Sequence, residues 1–145
     1  MAVYNWSNVV VQFDNSSGVQ QDMSQYISEI NGFKVNAPVV DVTPLGSSAA
    51  GWQKNLFGGL LSVDEITITG YYDTQATTGP DAIFNDPGCK NTSAGTRTLK
   101  VTWGGTYTTS VETIITGYDR NPSKGAPTMF TVTLAATGAV TEAIV

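Results

Sequence analysis

Apolar and polar residues alternate through much of this chain. From Ser62 to Tyr72, Ile66 and Ile68 fall on one side and Glu65, Thr67 and Thr69 on the other, the period-2 pattern of a half-buried strand. Thr96 to Trp103 repeats it, with Leu99, Val101 and Trp103 opposite Thr98, Lys100 and Thr102. Gly104-Gly105 then marks a hairpin, and Thr106 to Asp119 is a return strand long enough to need a bend. Asn121 to Gly125 is a turn. Thr128 to Thr137 is the last strand, with Phe130, Val132 and Leu134 inward and Met129, Thr131 and Thr133 outward; Gly138 ends it. Nearer the start, Asn8 to Asp14 reads as the first strand, with its turn at Asn15 to Gly18. Val19 to Ile27 reads as short-range structure, with Asp22 and Ser24 as turn or cap residues. Ser28 to Val35 is strand again, and Gly32 within it leaves room for a bulge or a close neighbour. Val39 to Thr43 is extended between Pro38 and Pro44. One helical turn interrupts the strands: PDAIFND opens with Pro80 at a favoured first position and Asp81 near the positive end of the dipole, and Pro87-Gly88 stops it.

These elements predict one mostly β domain over 1–145, an antiparallel β-sandwich or barrel of seven or eight strands with one short flanking α-helix and a long inter-strand loop. Three stretches stand apart from it. The N-terminal arm, 1–7, carries Tyr4 and Trp6, which need cover from their own domain or a neighbour. The loop 45–59 holds four glycines yet also Trp52, Leu56 and Phe57, so it is not a solvated linker. Either it folds back over its own core or its large side chains anchor a partner. The C-terminal tail, 138–145, adds further apolar residues.

Composition sharpens the second alternative. The chain is 41% apolar but only 13% charged, about half the usual share, and a subunit flanked by neighbours needs less charged surface than a monomer. Net charge is −5 with seven Lys and Arg and no histidine, and no basic stripe exists for phosphate. Without histidine, the serine–histidine and cysteine–histidine dyads are excluded. The single cysteine, Cys89, excludes an intramolecular disulfide and a multi-cysteine zinc site, and a lone thiol without a base reads as incidental. Asp64, Glu65, Asp73, Asp81, Asp86 and Glu112 supply carboxylates, but most sit in turns or at the helix start, where capping accounts for them. Asp41, Asp73, Asp81 and Asp86 lack the spacing of a calcium loop. Trp52 and Trp103 could stack on a sugar ring, although Trp103 lies on an alternating apolar face and reads as core. No enzyme, cofactor or metal is expected. No apolar run approaches the roughly 20 residues of a membrane helix, and no export signal is visible, so the chain reads as beginning at its mature N-terminus and as cytosolic where it is made.

In order and motif the chain resembles the tail tube (major tail) proteins of long-tailed bacteriophages over nearly its whole length. The carriers are VVVQFDNSSGVQQDMSQYISEI, VVDVTPLGSSAAGWQKNLFGGL, SVDEITITGYYDTQATTGPDAIF and the closing FTVTLAATGAVTEAIV. Pro44 and Gly46 depart from the Thr-Phe-Gly often seen at the loop start. The resemblance implies an architecture related to the type VI secretion tube protein, and a structural virion role. Hexameric rings would stack into a hollow tail tube, around a tape-measure protein, with tail tip and tail terminator proteins at its ends and DNA passing through without specific binding. It places the protein in the virion tail, made in the host cytoplasm. Carried onto this sequence, the inter-subunit contacts are Trp52, Leu56, Phe57 and Leu60 in the loop, Tyr4 and Trp6 in the arm, and Ala139, Val140 and Ile144 in the tail. Acidic side chains repeated around such a bore would repel DNA phosphates, and Asp64, Glu65 and Glu112 are the lumen candidates, on outward strand faces among threonines. The other reading is a β-sandwich binding module: a carbohydrate-binding, capsid-decorating or tail-terminator protein.

Overall fold

The computed structural model describes residues 8–15, 18–43, 53–75, 78–84 and 96–144. Eleven strands and one helix follow in order: β1 (Val9–Asp14), β2 (Gln20–Asp22), β3 (Ile27–Asn31), β4 (Val35–Asn36), β5 (Val39–Asp41), β6 (Asn55–Phe57), β7 (Ser62–Val63), β8 (Ile66–Tyr71), α1 (Pro80–Phe84), β9 (Arg97–Trp103), β10 (Tyr107–Asn121) and β11 (Met129–Ile144). Seven form one antiparallel sheet in the order β2-β1-β9-β10-β11-β8-β3, and the other four pair as β4-β7 and β5-β6.

Chain connectivity forces that sheet to curl. Laid flat, six strand spacings of about 4.8 Å would hold β2 and β3 roughly 29 Å apart. The five residue steps from Asp22 to Ile27 reach at most about 18 Å. The turn between them bonds to both sides of the opening: Met23 N–H donates to the Val11 carbonyl at 2.9 Å, and Tyr71 N–H donates to the Tyr26 carbonyl at 2.7 Å. The result is a barrel-like roll. Its inner face is the core, with Val11, Phe13, Ile66, Ile68, Leu99, Val101, Val111, Phe130, Val132 and Leu134 all buried. Of these, Ile66, Ile68, Leu99, Val101, Phe130, Val132 and Leu134 are inward positions read from the alternation.

One end of the roll is plugged by α1. Ile83 and Phe84 are buried, and the Phe84 ring lies 4.9 Å from Phe13 and 5.7 Å from Phe130. The five-residue helix is too short to hold itself, so this burial is what orders it. The buried Arg97 guanidinium donates to the Ile83 carbonyl at 3.1 Å, satisfying a helix C-terminal acceptor from the sheet side. Arg120 bonds Asp81 in the first helical turn at 2.5 Å, and its guanidinium lies over the Tyr72 and Tyr118 rings.

Four sequence expectations change. The tail is not a tail: β11 runs through Gly138 to Ile144 and stays paired with β10. Thr137 pairs with Glu112 and Thr141 with Ser110, so three residues of β11 face one of β10, and Gly138 takes φ +90° in that bulge. Glycine interrupts the ladder there without ending the strand. Val19–Ile27 includes a true strand, β2, which supplies a sheet edge. Ser28–Val35 divides at Gly32, whose φ of +101° turns the chain; a Cβ there would overlap the Glu65 carbonyl, the close neighbour that the glycine suggested. Ser62–Tyr72 likewise divides, because Asp64 and Glu65 lie outside the ladder between β7 and β8.

Candidate assembly surface

Between Gly32 and Glu65 the chain leaves the roll as a long hairpin. Its root is β4 with β7, pairing Val35 with Val63 and Asn36 with Ser62. Its distal part is β5 with β6, pairing Val39 with Phe57, Val40 with Leu56 and Asp41 with Asn55. Between them Gly58 N–H donates to the Pro38 carbonyl at 2.6 Å, and the 58–61 side is the longer, throwing Leu60 and Leu61 outward. Of thirteen exposed large apolar side chains among the described residues, eight lie on this hairpin: Val35, Val39, Val40, Val42, Leu56, Phe57, Leu60 and Leu61. That share identifies the hairpin as the part of the molecule lacking cover.

Strand geometry makes the deficit two-sided. Neighbouring strand residues point to opposite faces, so Val40, Val42, Leu56 and Lys54 share one face of the distal ribbon, and Val39 and Phe57 share the other with Asp41. Leu56 is 59% exposed, Phe57 57% and Leu60 81%. A lone two-stranded ribbon is marginal in water, and one with apolar residues on both faces is more so. The described part of the loop, 53–59, does not fold over the core of its own domain.

The hairpin root and the end of the sheet opposite α1 enclose a groove. A cleft of about 560 Å³ lies between Val35, Leu61 and Val63 on one side and Gly138, Val140 and Glu142 on the other. It continues into a second space of about 210 Å³ reaching Phe33, Trp103 and Thr109. Trp103 is therefore not core. It is 36% exposed at the rim, edge-on to Phe33 at 6.3 Å, with its indole N–H donating to the Thr109 hydroxyl at 2.9 Å. The β11 bulge forms one wall, and Val140 packs partly onto the core. Glu142 is the one charged residue among the described lining of either space.

A third surface is the outer face of the sheet. By register it carries Thr67 and Thr69 from β8, Thr98, Lys100 and Thr102 from β9, Glu112, Ile114 and Asp119 from β10, Thr131 and Thr133 from β11, and Glu29 from β3. Hydroxyls dominate it. The Glu112 carboxylate accepts hydrogen bonds from the Thr98 and Thr96 hydroxyls, the latter at 2.7 Å, and these hold its pKa below the usual glutamate value. Glu112 thus sits where the alternation put it. Asp64 and Glu65 do not: they occupy the two-residue link between β7 and β8 at the sheet's end, with Asp64 accepting from the Asn36 amide at 2.5 Å. A two-residue break in the ladder moved them off the face.

Of the other contact candidates, Ala139 is exposed on the bulge, and Ile144 is the last residue of β11, paired with Tyr107. Tyr4, Trp6 and Trp52 lie outside the described residues, as does Cys89. The groove had no sequence signal beyond its parts, because Val63, Trp103 and Val140 are far apart in the chain and only the sheet order brings them together. Among the described residues no cluster of potential metal ligands occurs, and no helix is long and apolar enough to cross a membrane.

No family model matches this sequence, and no curated protein matches it. Solved structures do. A chain in the tail of an empty gene transfer agent particle, determined by helical refinement with C6 symmetry, shares 21% identity at a TM-score of 0.71, over 96% of this chain and 98% of that one. A chain in the virion of the native gene transfer agent particle shares 19% at 0.70, over 97% and 99%. One from the sheath–tube complex of an extracellular contractile injection system in its extended state shares 12% at 0.67, over 100% and 92%. The fold is thus that of proteins in phage-like and contractile tails, as the sequence resemblance implied.

Proposed function

We propose that this protein is a structural subunit of a tail tube: it assembles with copies of itself into six-membered rings that stack into a hollow conduit for DNA. The observation that carries this reading is the distal ribbon, apolar on both faces and exposed among the described residues, on a fold that recurs in tail particles. An inter-subunit seat supplies the missing cover. The contact residues on this reading are Leu56, Phe57 and Leu60 of the hairpin, Ala139, Val140 and Ile144 of the β11 extension, and Tyr4, Trp6 and Trp52.

A ring built by rotation joins two different patches of each subunit, and the stacking contact never closes on itself, so growth continues as a filament. The outer sheet face is the natural wall of the bore. Threonine hydroxyls keep it wetted, and by register the carboxylates of Glu29, Glu112 and Asp119 outnumber its Lys100, so six copies per ring repel the phosphate backbone at short range. Asp64 and Glu65 add negative charge at the rim of that wall. Tape-measure, tail tip and tail terminator proteins complete the assembly, and the chain acts without catalysis.

Negative-stain imaging of the purified protein over a concentration series tests the reading. Hollow filaments on the order of 100 Å across are expected, from six small domains around a pore. A compact monomer at every concentration would instead fit a binding module and overturn the proposal.

A further inference from the structure

We propose that the groove at the end of the roll opposite α1 is the seat for the distal ribbon of a second copy, entered by the face bearing Val40, Val42, Leu56 and Lys54. The inference rests on the self-assembly reading above and names the two surfaces that meet.

Three observations select this occupant. First, the ribbon cannot be using its own groove. The root strands β4 and β7 form one wall of that groove through Val35 and Val63, while Val40 and Leu56 beyond them remain more than half exposed. Second, the surfaces match in kind: an apolar cleft of about 560 Å³ on one copy faces the exposed Val40, Val42 and Leu56 of a ribbon one strand pair wide on the other. Third, the charges match. Glu142 is the lone charge in the described lining. On the ribbon, Asp41 accepts from the Thr43 backbone N–H at 2.9 Å and lies on the Phe57 face. Lys54 projects from the Leu56 face with no ion-pair partner among the described residues. Seating that face directs a lysine toward a glutamate across a dry contact, whereas the opposite face would bring a second carboxylate to it.

The contact joins different patches on the two copies and is therefore heterologous, so each copy is donor on one side and acceptor on the other.

Single-cysteine variants test it in a Cys89→Ser background. Leu56→Cys protein is mixed with Val140→Cys protein, assembled, and joined with a short bismaleimide. An interchain link is expected in the mixture and not in either variant alone, and Phe57→Cys mixed with Val140→Cys should give several-fold less. Filaments without the Leu56–Val140 link, or with an equal yield from Phe57, would overturn the seat while leaving the tube reading intact. Linking of Leu56→Cys protein to itself would show ribbon-on-ribbon pairing and overturn it too. An intrachain link between Trp6→Cys and Val140→Cys that persists in filaments would give the groove to the chain's own N-terminal arm. No filaments under any condition would remove both inferences. Charge reversal supplies an independent arm: Lys54→Glu or Glu142→Lys alone should raise the concentration needed for assembly roughly tenfold, and the double exchange should restore it. A double variant no better than the singles would count against the pairing.

Discussion

The two ends of the rolled sheet are finished in opposite ways. At one end the chain supplies its own plug: Phe84 from α1 enters between Phe13 and Phe130, Arg97 bonds the helix from beneath, and Arg120 holds its first turn through Asp81. At the other end Phe33 and Trp103 meet edge-on at a rim, a groove stays open, and the hairpin carries eight apolar side chains into solvent. Phenylalanine and leucine occur at both. What differs is the source of the covering atoms, which at the plugged end is the same chain. The difference separates residues that make the fold from residues that use it, and substitution at the two ends should separate stability from assembly.

The largest effect belongs to the plugged end. Phe84→Ala removes a fully buried ring that two other phenylalanines pack against, and should lower unfolding free energy by about 3–5 kcal/mol in chemical denaturation. The matching change at the other end, Phe57→Ser with Leu60→Ser, should move that free energy by no more than about 0.5 kcal/mol while abolishing filaments. If the hairpin variant unfolds as readily as Phe84→Ala, the ribbon is core and the contrast fails. Gly32→Ala tests the junction where the hairpin leaves the roll. Positive φ and overlap with the Glu65 carbonyl should together cost about 2–3 kcal/mol, again by denaturation, because the backbone there cannot retreat from a methyl group. An effect below 1 kcal/mol would mean that the root gives way easily.

The plugged end was nearly all legible in the sequence. Pro80 and Asp81 announce the helix, and alternation places Phe130, Val132, Leu134, Leu99 and Val101 inward, because each of those signals is local and its period survives in the fold. The open end was legible only in its chemistry. Leu56, Phe57 and Leu60 stood out as apolar residues in a glycine-rich stretch, but which of two fates they met depended on whether anything else came near. Trp103 obeys its alternation and still lies at the rim, since periodicity gives the face of a strand and not how far the core extends along it. Gly138 reads as a stop, yet the strand continues through it as a bulge opposite Val111, a residue distant in sequence. Glu65 leaves the outer face for a similar reason, the strand being interrupted at Asp64 and Glu65. Register and the ends of elements are long-range facts.

A smaller effect sharpens the plugged end. Asp81→Asn removes the charge facing Arg120, a pair in which the arginine is nearly half exposed, and should cost roughly 0.2–1 kcal/mol. Raised salt should lessen the difference between variant and parent, since an exposed pair is screened. A loss of several kcal/mol would show that the ion pair, more than the Phe84 contacts, holds the helix.

The smallest effect concerns the outer face, which belongs to neither end. Hydrogen bonds from the Thr98 and Thr96 hydroxyls favour the charged form of Glu112 and lower its pKa from the usual 4.5. The folded protein therefore binds this proton less readily than the unfolded chain does. The stabilisation is complete above the unfolded value and is lost as pH falls through the lower folded one. Because the carboxylate is exposed, solvent weakens the contribution, which should stay under about 1 kcal/mol. Glu112→Gln, which cannot titrate, should thus show a flatter decline in stability below about pH 4.5 than the parent, with both measured by denaturation across pH. Identical slopes would mean that the threonine hydroxyls turn to water when the carboxylate is charged, and that this face holds its acid no more firmly than any open surface does.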